Sequence, residues 1–260
     1  MSNTKIWKAL WWICLVVAPV VLVCIELFHP AGFTKIPGMY EYVSKPEPYD
    51  PHFFSLGYSG PEWWFTLHMI QTPMVGLVAV GLWLLANRIG DGDDVKAIAL
   101  AWLARVLTFV FVVYYTALDS IGGFGVARTI INTKMMETKG ELTADQVKGI
   151  AAVIDTTWQD KWVGGVGSFI SLTGSWAVFY ATVCLALALL IAKKATWPPL
   201  VLLVAFGWEL QMSHTMPHGP IAFSLLIVAA LWMHFAKKRE LRNPTRSSEA
   251  KRARPEPRPS

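Results

Sequence analysis

Glu209, His214 and His218 stand in the stretch Glu209-Leu-Gln-Met-Ser-His214-Thr-Met-Pro217-His218-Gly219-Pro220, a polar, helix-breaking island between two apolar runs. Such a surface suits lipid poorly and suits a ligand well, because ionisable groups at membrane depth are costly and face a bundle interior or a wet cavity. His68 lies in another apolar run, and Asp119 ends a third just before Gly122-Gly123-Phe124-Gly125. Three histidines with a nearby carboxylate are the donor set of a catalytic zinc site. Neutral imidazoles hold the ion, water fills the open position and an acid handles protons. His68, His214 and His218 are therefore the expected metal ligands, with Glu209 and Asp119 as the catalytic acids that orient the water or a ligand ring. The sequence leaves the cofactor unknown, with zinc as the candidate. Pro217 between His214 and His218 interrupts what would otherwise be a regular i, i+4 helix face.

Glu26, His29 and Gln71 are additional pocket candidates. Glu26 and His29 share a face at i, i+3 where proline at position 30 ends the first apolar run, and Gln71 follows His68 by one turn. Each has a plainer reading: His29 as a helix cap, Gln71 as interhelical glue, Glu26 and Asp119 as helix-end groups at the headgroup level. Arg105 pairs with a carbonyl or snorkels, and His52 and His234 are interfacial. Glu26-x-x-His29 also has the spacing of a di-iron carboxylate bundle, but the second copy that such a site needs is missing from the sequence.

The elements that carry these groups are membrane helices. Of the 260 residues 54% are hydrophobic and only 16% charged, and the mean hydropathy is +0.41, which places the chain with polytopic membrane proteins rather than soluble domains. The reading is all-α, six transmembrane helices in one bundle, over 7–28, 62–86, 97–120, 163–192, 197–213 and 219–236, with two long outer loops, 31–61 and 126–162. The second loop carries Thr143-Ala-Asp-Gln146, a capping box that opens a short amphipathic surface helix. Gly167, Ser171 and Ser175 form a small-residue stripe for helix packing. Residues 1–236 are one transmembrane domain, and 237–260 form a basic, disordered cytoplasmic tail. Cys14, Cys24 and Cys184 sit in apolar runs without CxxC spacing, so no disulfide framework or zinc ribbon is indicated.

Lys5, Lys8, Arg88, Lys96, Lys193, Lys194 and the tail lie near span ends on one side. The positive-inside rule then puts both termini in the cytoplasm, with the chain in the cell inner (plasma) membrane and the polar residues in the outer half. The net charge of +5 is concentrated in the tail, and no nucleic-acid motif accompanies it. The lipid bilayer is the expected partner, with a lipid or other small amphiphile as substrate.

A histidine in the second helix, an acid ending the third and HxxxH near the C-terminus is a pattern similar to that of the alkaline ceramidase and adiponectin-receptor group of membrane hydrolases. The chain departs from it in having Trp64 where that group has a serine four residues before the histidine, and six spans in place of seven, so no family is assigned. The leading expectation is a metal-dependent enzyme. The alternatives are a non-enzymatic transporter or small-ligand receptor using the same cluster, and a haem b electron-transfer protein with His68 paired to His214 or His218.

Overall fold

A computed structural model describes residues 3–29, 38–45 and 60–242, with side chains over 5–29, 38–45 and 60–236. Most of the expected 31–61 loop, His52 and residues 243–260 of the expected disordered tail lie outside the described residues, whereas residues 237–242 of that tail are helical and continue the last helix. Ten α-helices follow in order: α1 (Asn3–Trp12), α2 (Ala18–Glu26), α3 (Met39–Ser44), α4 (Pro61–Ala86), α5 (Val95–Leu118), α6 (Val126–Thr138), α7 (Ala144–Trp158), α8 (Phe169–Ile191), α9 (Trp197–Met212) and α10 (His218–Arg242). A π turn at Ile13–Val17 joins α1 to α2, and another at Asp119–Gly125 joins α5 to α6. No strand occurs among the described residues, and the chain is an all-α membrane bundle.

Five helical runs are long and apolar enough to cross a membrane: Lys5–Glu26, Pro61–Ala86, Val95–Thr138, Phe169–Ile191 and His218–Ala236. The sixth expected span, α9, is apolar but has only 16 residues, about 24 Å at 1.5 Å per residue, short of a hydrocarbon core of about 30 Å. Neighbours pack in chain order around a closed ring. α4 lies against α2 and α5, α5 against α8, α8 against α9, α9 against α10, and α10 returns to α2.

The tightest seam joins α5 to α8. Gly174, Ala177, Val178, Ala181 and Leu185 of α8 are buried, and a Cβ at Gly174 would stand 3.3 Å from Tyr114 Cβ. Between helices in lipid, close backbone approach and van der Waals contact supply the attraction. This stripe differs from the expected one. Gly167 lies before the helix at φ +90°, Ser171 and Ser175 are half-buried, and the helix opens only at Phe169, where the Ser168 side chain accepts from the Ser171 N–H at 3.2 Å.

The expected loop from 126 onward is corrected as well. The helix of Asp119 continues through the π turn into α6, because the wider turn absorbs the three glycines and α6 has an apolar face to bury. Val126, Ala127 and Ile130 pack with Met39, Tyr42, Val43, Trp64 and Ile154 in a second cluster beside the main core. The expected capping box is present at Thr143 and Gln146 and opens α7, whose partly apolar face meets α3 and α6.

At the end of the bundle remote from these elements, Arg105 donates to the Ala86 carbonyl and to Asn87 Oδ1, each at 3.0 Å, which satisfies part of the open C-terminus of α4. Asp93 accepts from the Gly90 N–H at 3.0 Å and pairs with Lys194 at 3.0 Å. The Gly90 bond and then Lys194 hold its carboxyl below the usual range. Arg88 donates to the Lys194 carbonyl at 2.7 Å. Asp94 caps α5 by accepting from the Lys96 N–H at 2.7 Å, so the acidic run Asp91-Gly92-Asp93-Asp94 is turn and cap chemistry that holds the starts of α5 and α9 and the end of α4 at one level.

Candidate metal centre

That common level acts as a ruler. His68 lies about 18 residues from that end of α4, Tyr115 about 20 from that of α5 and His214 about 17 from that of α9. At 1.5 Å per residue the three stand at the same depth to within about one turn. The shortness of α9 is what sets His214 there, since the chain turns through Ser213–Pro217 before reaching the height of its neighbours. α2 ends at Glu26, and His29 follows in a tightened last turn, its N–H donating to the Glu26 carbonyl at 3.2 Å. The Trp63 indole donates to the Phe28 carbonyl at 2.9 Å and ties this end to α4.

Three imidazoles therefore meet. One nitrogen from each of His29, His68 and His214 lies within 4.8 Å of the other two. The His29 ring centroid is 5.4 Å from that of His68 and 5.0 Å from that of His214. His29 and His68 are buried, and His214 is partly buried. The His68 Nδ1 is 2.7 Å from the Trp64 carbonyl, an acceptor only, so Nδ1 carries the proton and Nε2 presents its lone pair. A ring nitrogen fixed by a backbone carbonyl while the other faces the site is the arrangement that metal-ligating histidines use.

Asp119 reaches the same place from the start of the π turn. It is buried, and its Oδ2 accepts from the Thr72 hydroxyl at 2.7 Å. The π turn brings its backbone against His68: a Cβ at Gly123 would meet His68 Cδ2 at 2.5 Å and Cγ at 2.6 Å, so only glycine fits. π turns recur at functional sites for this reason, since one inserted residue re-aims a side chain without ending the helix. Gln71 donates through Nε2 to the Tyr115 hydroxyl, and the Tyr115 ring lies edge-on to His214 at 5.7 Å.

The other two residues of the sequence reading sit elsewhere. His218 Nδ1 is 2.8 Å from Glu209 Oε2, and both side chains are partly exposed. The break after Met212 turns His218 away from His214, so the third ring of the cluster is His29, which the sequence offered as an additional pocket residue. Glu209 and His218 instead tie the end of α9 to the start of α10 across the turn that presents His214.

Between His29, His68, His214 and Asp119 lies a small cavity of about 20 Å³, walled by Trp64, Leu118, Gly122, Gly123, Trp158 and Val166. It has room for one water-sized group. Trp64 donates to the Gly122 carbonyl at 2.9 Å. Trp158, the last residue of α7, fills the space left by Gly122 and Gly165 and covers the cavity. Trp64 and Trp158 as cavity walls, and Tyr115 as the ring beside His214, were not expected from the sequence. The glycines at 122 and 123 were the visible signal for close approach, and the partner that closes over them was not.

The chain matches no protein-family model, and comparison with curated proteins and with solved structures returned no match.

Proposed function

We propose that the chain is a zinc-type membrane metalloenzyme in which His29, His68 and His214 hold one ion and Asp119 handles protons beside it, acting on a lipid or other amphiphile. The observation that carries the reading is the convergence of three imidazole nitrogens within 4.8 Å, one from α4, one from the turn after α2 and one from the turn between α9 and α10, with the His68 tautomer already fixed for ligation. Nitrogens about 2.0–2.1 Å from a tetrahedral zinc ion stand roughly 3.4 Å apart, so small ring rotations complete the site. An ion held there would supply Lewis acidity and acidify water in its open position. Asp119, anchored by Thr72, is the acid on the cavity side. Glu209 and His218 position the His214 turn.

Two features support an amphiphilic substrate. The cavity walls of Trp64, Leu118, Trp158 and Val166 are apolar, and the cluster lies at the depth of apolar spans. A cavity of about 20 Å³ favours a single ion over a macrocycle such as haem. The placement of Lys5, Lys8, Arg88, Lys96, Lys193 and Lys194 supports an inner-membrane orientation with both termini in the cytoplasm and the histidines towards the outside.

The test is metal content after metal-replete growth. Parent protein should carry about one equivalent, while His29→Ala, His68→Ala and His214→Ala should each fall below about a tenth. His218→Ala should keep its ion. Asp119→Asn should keep the ion and lose turnover of an acyl amphiphile by about 100-fold or more. Parent protein with less than about a tenth of an equivalent of any transition metal would return the pocket to the transporter or receptor reading.

A further inference from the structure

Among the described residues, Glu26 has no hydrogen-bond partner for either carboxyl oxygen, although it is 0% exposed. Buried acceptors without donors are expensive at membrane depth. The side chain runs into the seam between the end of α2 and the turn that carries His214. Its Cγ lies 3.3 Å from the point where a Cβ of Gly219 would stand, and that same point abuts the His214 carbonyl. Glycine at 219 is what leaves the carboxyl its space. Glu26 is one turn from His29 on the same helical run and interacts electrostatically with Asp119. Close by, Gln71 is also 0% exposed and its Oε1 is likewise unpartnered. These atoms are acceptors, and what they lack is positive charge.

We infer that Glu26 supplies the counter-charge by which the imidazole cluster selects a divalent over a monovalent cation. The inference rests on the cluster binding an ion. Three neutral imidazoles carry no net charge to offset that of an ion, and a dication on them alone would leave two uncompensated positive charges in a low-dielectric bundle. Glu26 and Asp119, both ionised, cancel a dication and leave a monocation overcompensated. Buried charge is tolerated when it is paired, so the pair favours an ion of charge two. Asp119 already has the Thr72 hydroxyl as a donor, whereas Glu26 has no donor among the described residues.

The experiment measures zinc and anaerobic copper(I) affinities of the purified full chain by competition with chromophoric chelators. Glu26→Gln keeps the shape and removes the charge. Its zinc affinity should fall by about 10–100-fold and its copper(I) affinity by only about 3–10-fold, since the same lost charge acts on half the ionic charge. Retained copper(I) binding also shows that the variant is folded. Unchanged zinc affinity, or equal losses for both ions, would overturn the inference. If Glu26→Gln cannot be recovered folded, Glu26→Ala, which also removes the charge, decides: a zinc loss of about tenfold or more with a smaller copper(I) loss supports it, and equal losses or none sink it. A parent that binds neither ion defeats the imidazole site itself and this inference with it. A parent that binds zinc while Glu26→Gln does the same defeats this inference alone.

Discussion

His68 is the best-determined group of the centre, because two neighbours fix its ring. The Trp64 carbonyl takes the Nδ1 proton at 2.7 Å, and the missing side chain of Gly123 leaves the ring its place. Gly123→Ala should therefore displace the imidazole. The expected cost is about 1–3 kcal/mol in thermal unfolding, with metal affinity lower by about tenfold. Gly76 lies in the same helix as His68, where a side chain would meet no other described residue within 4 Å, and Gly76→Ala should melt at or above the parent. Equal behaviour of the two variants would mean that Gly123 does not hold the ring. His68, His214 and Asp119 stood out in the sequence because ionisable groups in apolar runs are conspicuous, and the structure brings them to one cavity. His29 was harder to weigh. It lies just past a helix end, where capping explains a histidine equally well, and its direction depends on the tightened last turn of α2.

The helices were legible wherever an apolar run met a clear stop. Proline at 61 and at 198, the capping box at Thr143 and the break after Met212 all mark ends that the structure keeps to within a residue or two. Two features were not legible. Gly122, Gly123 and Gly125 read as a terminator, yet the helix passes through them because a π turn packs tightly against His68 and Trp158. The covering role of α7 was hidden too. Its amphipathic pattern shows that it lies on something, and only tertiary packing shows that Trp158 closes a cavity. The run from Val95 to Thr138 puts Asp91 and Thr138 at opposite ends of the bundle, both exposed. In a background without Cys14, Cys24 and Cys184, a cysteine at Thr138 should react with an impermeant maleimide on intact cells. One at Asp91 should react only after permeabilisation. The reverse pattern would overturn the proposed orientation.

Taken together, the molecule is a ring of helices closed in chain order, with a short member that lowers one polar turn into the interior. That single irregularity gathers imidazoles from α4, from the end of α2 and from the α9–α10 turn beside the carboxyls of Glu26 and Asp119. Everything proposed about function depends on those three rings sharing one ion. X-ray absorption spectroscopy of the zinc-loaded full chain tests this most directly. One ion per chain is expected, with about three imidazole nitrogens at roughly 2.0–2.1 Å and the outer-shell scattering of rigid rings, a shell lost with the ion in His29→Ala and unaltered in His218→Ala. A shell of oxygens without ring scattering, or an imidazole shell that loses a ring in His218→Ala and none in His29→Ala, would contradict the shared ion site.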